Sequence, residues 1–136
     1  AIFKCNTGKG TIVDSGTTDT YLPQSLHQSF TAMFKKLTGL HYRNEMIVLS
    51  SQEYGTLPII IYRLEGVEAG QTIDIPVYPR SYMEKHGNNK YVPRIYLTEP
   101  TGAVLGANFM NDQNIIFDID NSKIGFARST CKYEKD

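Results

Sequence analysis

The sequence predicts an all-β domain, mainly antiparallel, with only a few short helices. Short runs of β-branched and apolar residues recur along the whole chain and are bounded by turn-forming residues. Only one stretch repeats its apolar residues at the three- and four-residue spacing of a helix. The 136 residues are 40% hydrophobic and 21% charged, which is typical of one globular domain. We therefore expect residues 1–136 to form a single domain.

The predicted strands begin near the N-terminus, where the β-branched run Thr11–Asp14 leads into a Ser-Gly turn signal. A nearly continuous apolar run predicts a second strand over Leu57–Leu64, and alternation of polar and apolar residues predicts a third over Thr72–Pro76. Four further runs predict strands over Tyr91–Thr98, Ala103–Leu105, Asn114–Asp118 and Lys123–Ala127.

The one clear helix is predicted between Pro23, which suits a first helical turn, and Gly39, which suits a stop. Its apolar residues at helical spacing are Leu26, Phe30, Met33, Phe34 and Leu37. Single helical turns are expected over Pro79–Met83 and after Gly106. The polar stretch Arg43–Thr56 has little pattern and is expected to be a surface loop or a short mobile hairpin.

Composition excludes several classes of function. Fourteen basic residues balance fourteen acidic ones, so the chain lacks the basic excess that nucleic-acid binding requires. No apolar run approaches the ~18 residues of a membrane-spanning helix. Three histidines, His27, His41 and His86, are too scattered to share the spacing of metal ligands.

Two cysteines, Cys5 and Cys131, lie near opposite ends of the chain. They are too far apart in sequence for the close spacing of a cysteine metal site. Spacing alone leaves two alternatives, a pair of free thiols or one disulfide that joins the ends of the chain.

A possible reactive group is the carboxylate of Asp14, which follows a strand and enters a tight turn rich in hydroxyl groups. Gly16 has no Cβ, so its backbone can approach the carboxylate closely. Thr17 is well placed to donate a hydrogen bond to a carboxylate oxygen and hold the carboxyl plane. Taken alone, Asp-Ser-Gly is also common turn chemistry, so an ordinary turn after a strand is the alternative.

The order of motifs along the chain distinguishes these alternatives. After the segment Thr11–Thr18 come an apolar-apolar-Gly element, an Ile-Phe-Asp element and an Ile-Gly-Phe-Ala element, with a cysteine just beyond. These elements are Val104–Gly106, Ile116–Asp118, Ile124–Ala127 and Cys131. Together with the proline-rich run Ile75–Tyr82, they resemble the C-terminal lobe of a pepsin-family aspartic protease, which is half of a bilobal, barrel-type fold. Cys5 and Cys131 resemble an end-to-end pair of the β-secretase and plasmepsin V-like branch.

The resemblance implies a role for each residue of the turn. Asp14 would be one of two catalytic aspartates, and Ser15 would meet its counterpart from the other lobe. Gly16 and Thr17 would hold the carboxylate, and Thr18 would face the bound peptide.

Outside the turn, Gly106 would pack behind the catalytic loop, and Cys5 and Cys131 would form a disulfide. The resemblance further implies a secretory-pathway hydrolase made as a zymogen, with no metal or organic cofactor. Its partners would be the N-terminal lobe and a peptide substrate, with any membrane anchor lying outside this chain.

Because the sequence holds a single Asp-Ser-Gly, it supplies only half of a two-aspartate site. The expected function is that of one lobe of an aspartic endopeptidase, inactive alone and lacking the N-terminal lobe and its flap. The alternatives are a homodimer with one aspartate from each chain, and a peptide-binding lobe without catalysis.

Overall fold

The structure is a computed structural model that describes residues 3–130. Within them the strands are β1 (Thr11–Val13), β2 (Thr20–Pro23), β3 (Ile47–Val48), β4 (Ile60–Glu65), β5 (Thr72–Val77), β6 (Met83–Lys85), β7 (Lys90–Pro93), β8 (Ile95–Glu99), β9 (Ala103–Leu105), β10 (Gln113–Asp118) and β11 (Lys123–Arg128). The helices of the same range are α1 (His27–Thr38), α2 (Ser51–Gly55), α3 (Pro79–Tyr82) and α4 (Ala107–Met110). The predicted all-β class with short helices is confirmed.

A four-stranded mixed sheet in the order β1-β9-β2-β8 forms the centre of the fold. β1 runs parallel to β9 and β2 runs parallel to β8, whereas β2 and β9 are antiparallel. β4–β5 and β10–β11 form antiparallel pairs, and β6, β7 and β3 form a small antiparallel sheet. The prediction of mainly antiparallel pairing therefore holds, but the two parallel pairs join segments that are distant in sequence.

The core is rich in aromatic residues. The ring of Phe109, on α4, packs edge-to-face against the rings of Tyr62 and Phe126, with centroids 5.2 and 5.9 Å apart. These three rings connect α4 to the β4–β5 pair and to the β10–β11 pair. Their edge-to-face contacts stabilise the core beyond the burial of apolar area alone. Other fully buried side chains are Thr20, Pro23, Leu49, Tyr82, Ile95 and Leu105.

Helix α1 covers one side of this core with Phe30 and Phe34. It ends where Gly39 adopts a left-handed conformation, with φ at 76°, and donates its N–H to the carbonyl of Lys35. The predicted stop is thus confirmed, but Pro23 lies at the end of β2, before a 3-10 turn over Gln24–Leu26, and not in the first turn of α1. Of the helices described here, none is long and apolar enough to cross a membrane.

The prediction of a surface loop over Arg43–Thr56 is wrong. This stretch contains β3 and α2, and Leu49 between them is only 1% exposed. Ser50 caps α2 by accepting from the N–H of Glu53, while the Glu53 carboxylate accepts from the N–H of Ser50. This capping box fixes a helix too short to show an apolar period.

Strand boundaries differ from prediction wherever tertiary contacts decide them. The strand expected over Leu57–Leu64 starts at Ile60, after the buried Leu57 and the partly buried Pro58. The strand expected over Tyr91–Thr98 is two strands, β7 and β8, which belong to different sheets and separate at Arg94. Three short strands, β2, β3 and β6, were not predicted.

Candidate active site

Asp14 lies directly after β1, at the end of the strand that pairs with β9. Its backbone N–H donates to the carbonyl of Leu105, with 3.0 Å between nitrogen and oxygen, and so continues the ladder by one residue. The carbonyl of Asp14 then accepts from the N–H of Thr17 at 3.3 Å. The aspartate is therefore held at the boundary between a strand and a tight turn.

Both carboxylate oxygens of Asp14 accept hydrogen bonds from this turn. The Thr17 hydroxyl donates to Oδ2 at 2.6 Å, and the Gly16 N–H donates to Oδ1 at 2.9 Å. These two donors, Thr17 more than Gly16, lower the pKa of Asp14 from its ordinary value because they favour the ionised carboxylate. The carboxyl plane is fixed, and the negative form is stabilised.

Behind the turn, Gly106 occupies a site with no room for a side chain. A Cβ there would overlap the carbonyl oxygen of Asp19 and lie 2.6 Å from that of Thr17. The next two residues donate their N–H groups forward, Ala107 to Thr17 at 2.7 Å and Asn108 to the carbonyl of Thr18 at 3.1 Å. The start of α4 thus fastens the turn from behind.

The remaining sequence-predicted residues differ in position. Ser15 and Thr18 are exposed on the turn beside Asp14, which is partly exposed. Cys5 is partly buried against the core, and this burial raises the pKa of its thiol. Its predicted partner, Cys131, lies outside the described residues.

A buried ion pair beside the turn was not predicted from the sequence. The Asp19 side chain is 8% exposed and lies 2.8 Å from a guanidinium nitrogen of Arg94, with a second contact of 3.0 Å through Nε. Arg94 also approaches the Glu84 carboxylate at 3.3 Å. The Arg94 carbonyl accepts from the Asn108 amide at 3.0 Å, which links the pair to α4. No local pattern marks two charged residues from distant segments of the chain as partners.

One face of the central sheet carries a row of apolar side chains in register. Ile12 pairs with Val104, Val104 with Tyr21, and Tyr21 with Tyr96, so the row crosses all four strands. The Tyr21 and Tyr96 rings are stacked, with centroids 5.2 Å apart, and both are partly exposed. We call Ile12, Val104, Tyr21 and Tyr96 the apolar row. The opposite face of the sheet is buried in the core.

Comparison with known proteins agrees with this geometry. The family model described as eukaryotic aspartyl protease matches residues 1–129. A beta-secretase from Strongylocentrotus purpuratus is 31% identical over 89% of this chain and 26% of its own length. Pepsin B from Canis lupus familiaris is 28% identical over 93% of the chain and 31% of its own length. Pregnancy-associated glycoprotein 2 from Bos taurus is 29% identical over 93% of the chain and 32% of its own length. The chain therefore spans about a quarter to a third of these relatives, and it belongs to the eukaryotic aspartyl protease family.

Proposed function

We propose that this chain is the C-terminal lobe of an aspartic endopeptidase, a single domain that supplies one of two catalytic aspartates. The observation that carries the proposal is the Asp14 carboxylate, held by the Thr17 hydroxyl and the Gly16 N–H at the end of β1. A fixed, partly exposed carboxylate with donors on both oxygens is suited to proton transfer with a bound water.

In the proposed reaction, Asp14 and a second aspartate share one proton. Two carboxylates that share one site repel each other when both are ionised, so the pair titrates as a unit. The ionised member takes a proton from a water molecule, which attacks the carbonyl carbon of the scissile peptide bond. The protonated member donates a hydrogen bond to the developing oxyanion. The proton taken from water then passes to the amine as the C–N bond breaks. The chain's own contribution is a carboxylate whose negative form is stabilised before substrate binds.

The second aspartate belongs, in this proposal, to an N-terminal lobe of the same protein. Ser15 is exposed next to Asp14, where it can meet a residue of that lobe. Apolar side chains of the β10–β11 hairpin are also uncovered, with Ile116 at 59% and Ile119 at 86% exposure. An uncovered apolar surface of this kind is typical of an interface. Contact with a second lobe would cover it.

The substrate in this proposal is a peptide in extended conformation. The apolar row presents two stacked tyrosines and two aliphatic side chains on an uncovered face of the sheet that ends at Asp14. Such a wall suits apolar side chains of a bound peptide. Thr18, exposed on the turn, is placed to contact the peptide backbone.

Peptide hydrolysis by the full-length protein and by residues 1–136 alone tests this function. We expect cleavage by the full-length protein between about pH 3 and 7, blocked by a transition-state-mimicking inhibitor. We expect none from residues 1–136. Cleavage by residues 1–136 in a dimer, measured by solution mass, would instead support the one-aspartate-per-chain alternative. A full-length protein that binds the inhibitor without cleaving peptide would support the peptide-binding alternative.

Replacing Thr17 by valine is expected to raise the pKa of Asp14 toward its ordinary value. The substitution removes the larger of the two interactions that lower this pKa, and the Gly16 N–H remains. In the active protein the acidic limb of the pH–rate profile should move to higher pH for the same reason. The measurement is an NMR titration of the Asp14 carboxyl carbon, with Thr18→Val as the control. An unchanged titration in Thr17→Val would contradict the assigned role.

We further propose that Cys5 and Cys131 form a disulfide, and that the protein is made as a zymogen in the secretory pathway. A relative whose name identifies it as a glycoprotein supports this location. A bond closing so long a loop would stabilise the fold by roughly 4–5 kcal/mol in the chain-entropy model. Peptide mapping of the full-length protein after thiol alkylation without reductant should find the two cysteine peptides joined. Alkylated Cys5 in that experiment would disprove the bond.

A further inference from the structure

A groove of about 550 Å³ lies between α1 and the segment 41–44. His27 and Lys35 line it from the helix, and His41 and Arg43 line it from the facing segment. No carboxylate is among its lining residues within 3–130. We call this site the basic groove, and we propose that it binds the phosphate or sulfate group of a small anionic ligand.

The positive charges of the basic groove have no carboxylate partner within residues 3–130. Three arginines elsewhere, Arg63, Arg80 and Arg94, each contact an aspartate at between 2.6 and 2.8 Å. Neither Lys35 nor Arg43 has a carboxylate within 4 Å in the part of the chain described here. The chain as a whole carries equal numbers of acidic and basic residues. Concentration of unpaired cations in one concave site therefore favours an external anion.

The wall that carries His41 and Arg43 is held rigidly. The buried Tyr42 hydroxyl donates to the Ile95 carbonyl at 2.7 Å and accepts from the Ile95 N–H at 3.1 Å. The Asn44 amide donates to the Ile95 carbonyl at 2.9 Å. Tyr42 and Asn44 are thus anchored to β8, and the residues that alternate with them, His41 and Arg43, are exposed.

The wall formed by α1 is fixed to the same anchor. The Tyr42 ring packs edge-to-face on Phe30 and Phe34, with centroids 5.0 and 5.1 Å apart. The core therefore fixes the two walls relative to each other, and less ordering of the backbone is needed when an anion binds.

The donor set favours a tetrahedral anion over a single carboxylate. Arg43 offers a planar fork of N–H donors, and Lys35, on the other wall, adds a second full charge. Histidine and glutamine side chains of the groove, His27, His41 and Gln28, add further N–H donors. A phosphate or sulfate group has enough oxygens to use both walls at once. The groove is also larger than such a group alone, which leaves room for the molecule that carries it.

Calorimetric titration of the full-length protein at constant ionic strength tests the proposal. The probes are inorganic phosphate, inorganic sulfate, and a sulfated disaccharide beside its unsulfated counterpart. We expect saturable binding of phosphate and sulfate, and Lys35→Ala or Arg43→Ala should each weaken it about tenfold. A sulfated disaccharide that binds more tightly than both inorganic sulfate and its unsulfated counterpart would identify a sulfated glycan as the source, and one that binds no more tightly than inorganic sulfate would exclude it.

Lys36→Ala provides the matched control, since Lys36 is the next residue on α1, equally charged, exposed and outside the groove. It should change affinity by no more than about twofold through long-range attraction. Equal weakening by Lys35→Ala and Lys36→Ala would overturn the site, because only general charge would then matter. The proposed site would also be overturned if neither phosphate nor sulfate showed saturable binding. Melting temperatures of the three variants, expected to match the unmodified protein, exclude loss of folding.

Discussion

Peptide hydrolysis by the full-length protein is expected to fall by roughly 10⁴-fold or more in kcat when Asp14 is replaced by asparagine. An amide cannot take a proton from water or share one with the second aspartate, so the attack on the peptide bond loses its base. The asparagine oxygen can still accept one of the two hydrogen bonds that Thr17 and Gly16 donate. The turn should therefore stay folded, and KM should change much less than kcat.

The matched control for Asp14→Asn is Asp120→Asn, which makes the same chemical change on the exposed turn between β10 and β11. Steady-state kinetics on a fluorogenic peptide, with circular dichroism to verify folding, should show full activity for this variant. If Asp14→Asn retained kcat to within about tenfold, Asp14 could not be a catalytic base or acid.

Replacement of Arg94 by leucine is expected to lower the free energy of unfolding by about 3 kcal/mol. The substitution leaves the Asp19 carboxylate, 8% exposed, without the guanidinium 2.8 Å away. Removing one member of a buried ion pair exposes the other to an uncompensated desolvation cost. The expected value lies at the lower end for such pairs because the Arg94 side chain is 30% exposed.

Arg63→Leu gives the comparison for Arg94→Leu. Arg63 contacts Asp74 with the same geometry at 2.7 Å, but both side chains are largely exposed, so solvent screens the interaction. Urea unfolding should show a clear loss of stability for Arg94→Leu and little change for Arg63→Leu. If the two variants unfolded at the same urea concentration, burial of Asp19 would add nothing to the stability that its ion pair contributes.

The turn that holds Asp14 could be predicted from sequence because its geometry is local. The Asp14 carboxylate is held by donors two and three residues further along the chain, and Gly16 and Thr17 are visible in the sequence itself. The all-β class and helix α1 followed from periodicity for the same reason. The resemblance to the pepsin family then suggested that Gly106 packs behind the turn, which agrees with the crowded carbonyls around it.

Features that depend on distant segments could not be predicted. Asp19 and Arg94 are both charged and carry no pattern that would indicate burial, because the partner of each lies far away in the sequence. The stretch Arg43–Thr56 looked like a loop because its anchors, such as the bonds from Asn44 to Pro93 and Ile95, lie on β7 and β8. The basic groove depends on the same anchors. Sequence patterns report which face of an element is apolar, and they do not report which element it will meet.

The pairing of β1 with β9 has a consequence for the order of events during synthesis. Asp14 is made before Leu105, whose carbonyl receives its N–H, and Thr17 is made before Ala107, which holds it. Closing so long a loop costs chain entropy before any contact repays it, and such pairings form slowly. β1 therefore remains without its ladder partner until β9 has left the ribosome. A nascent chain that ends before β9 would therefore carry Asp14 without the support that Leu105 and Ala107 give to its turn.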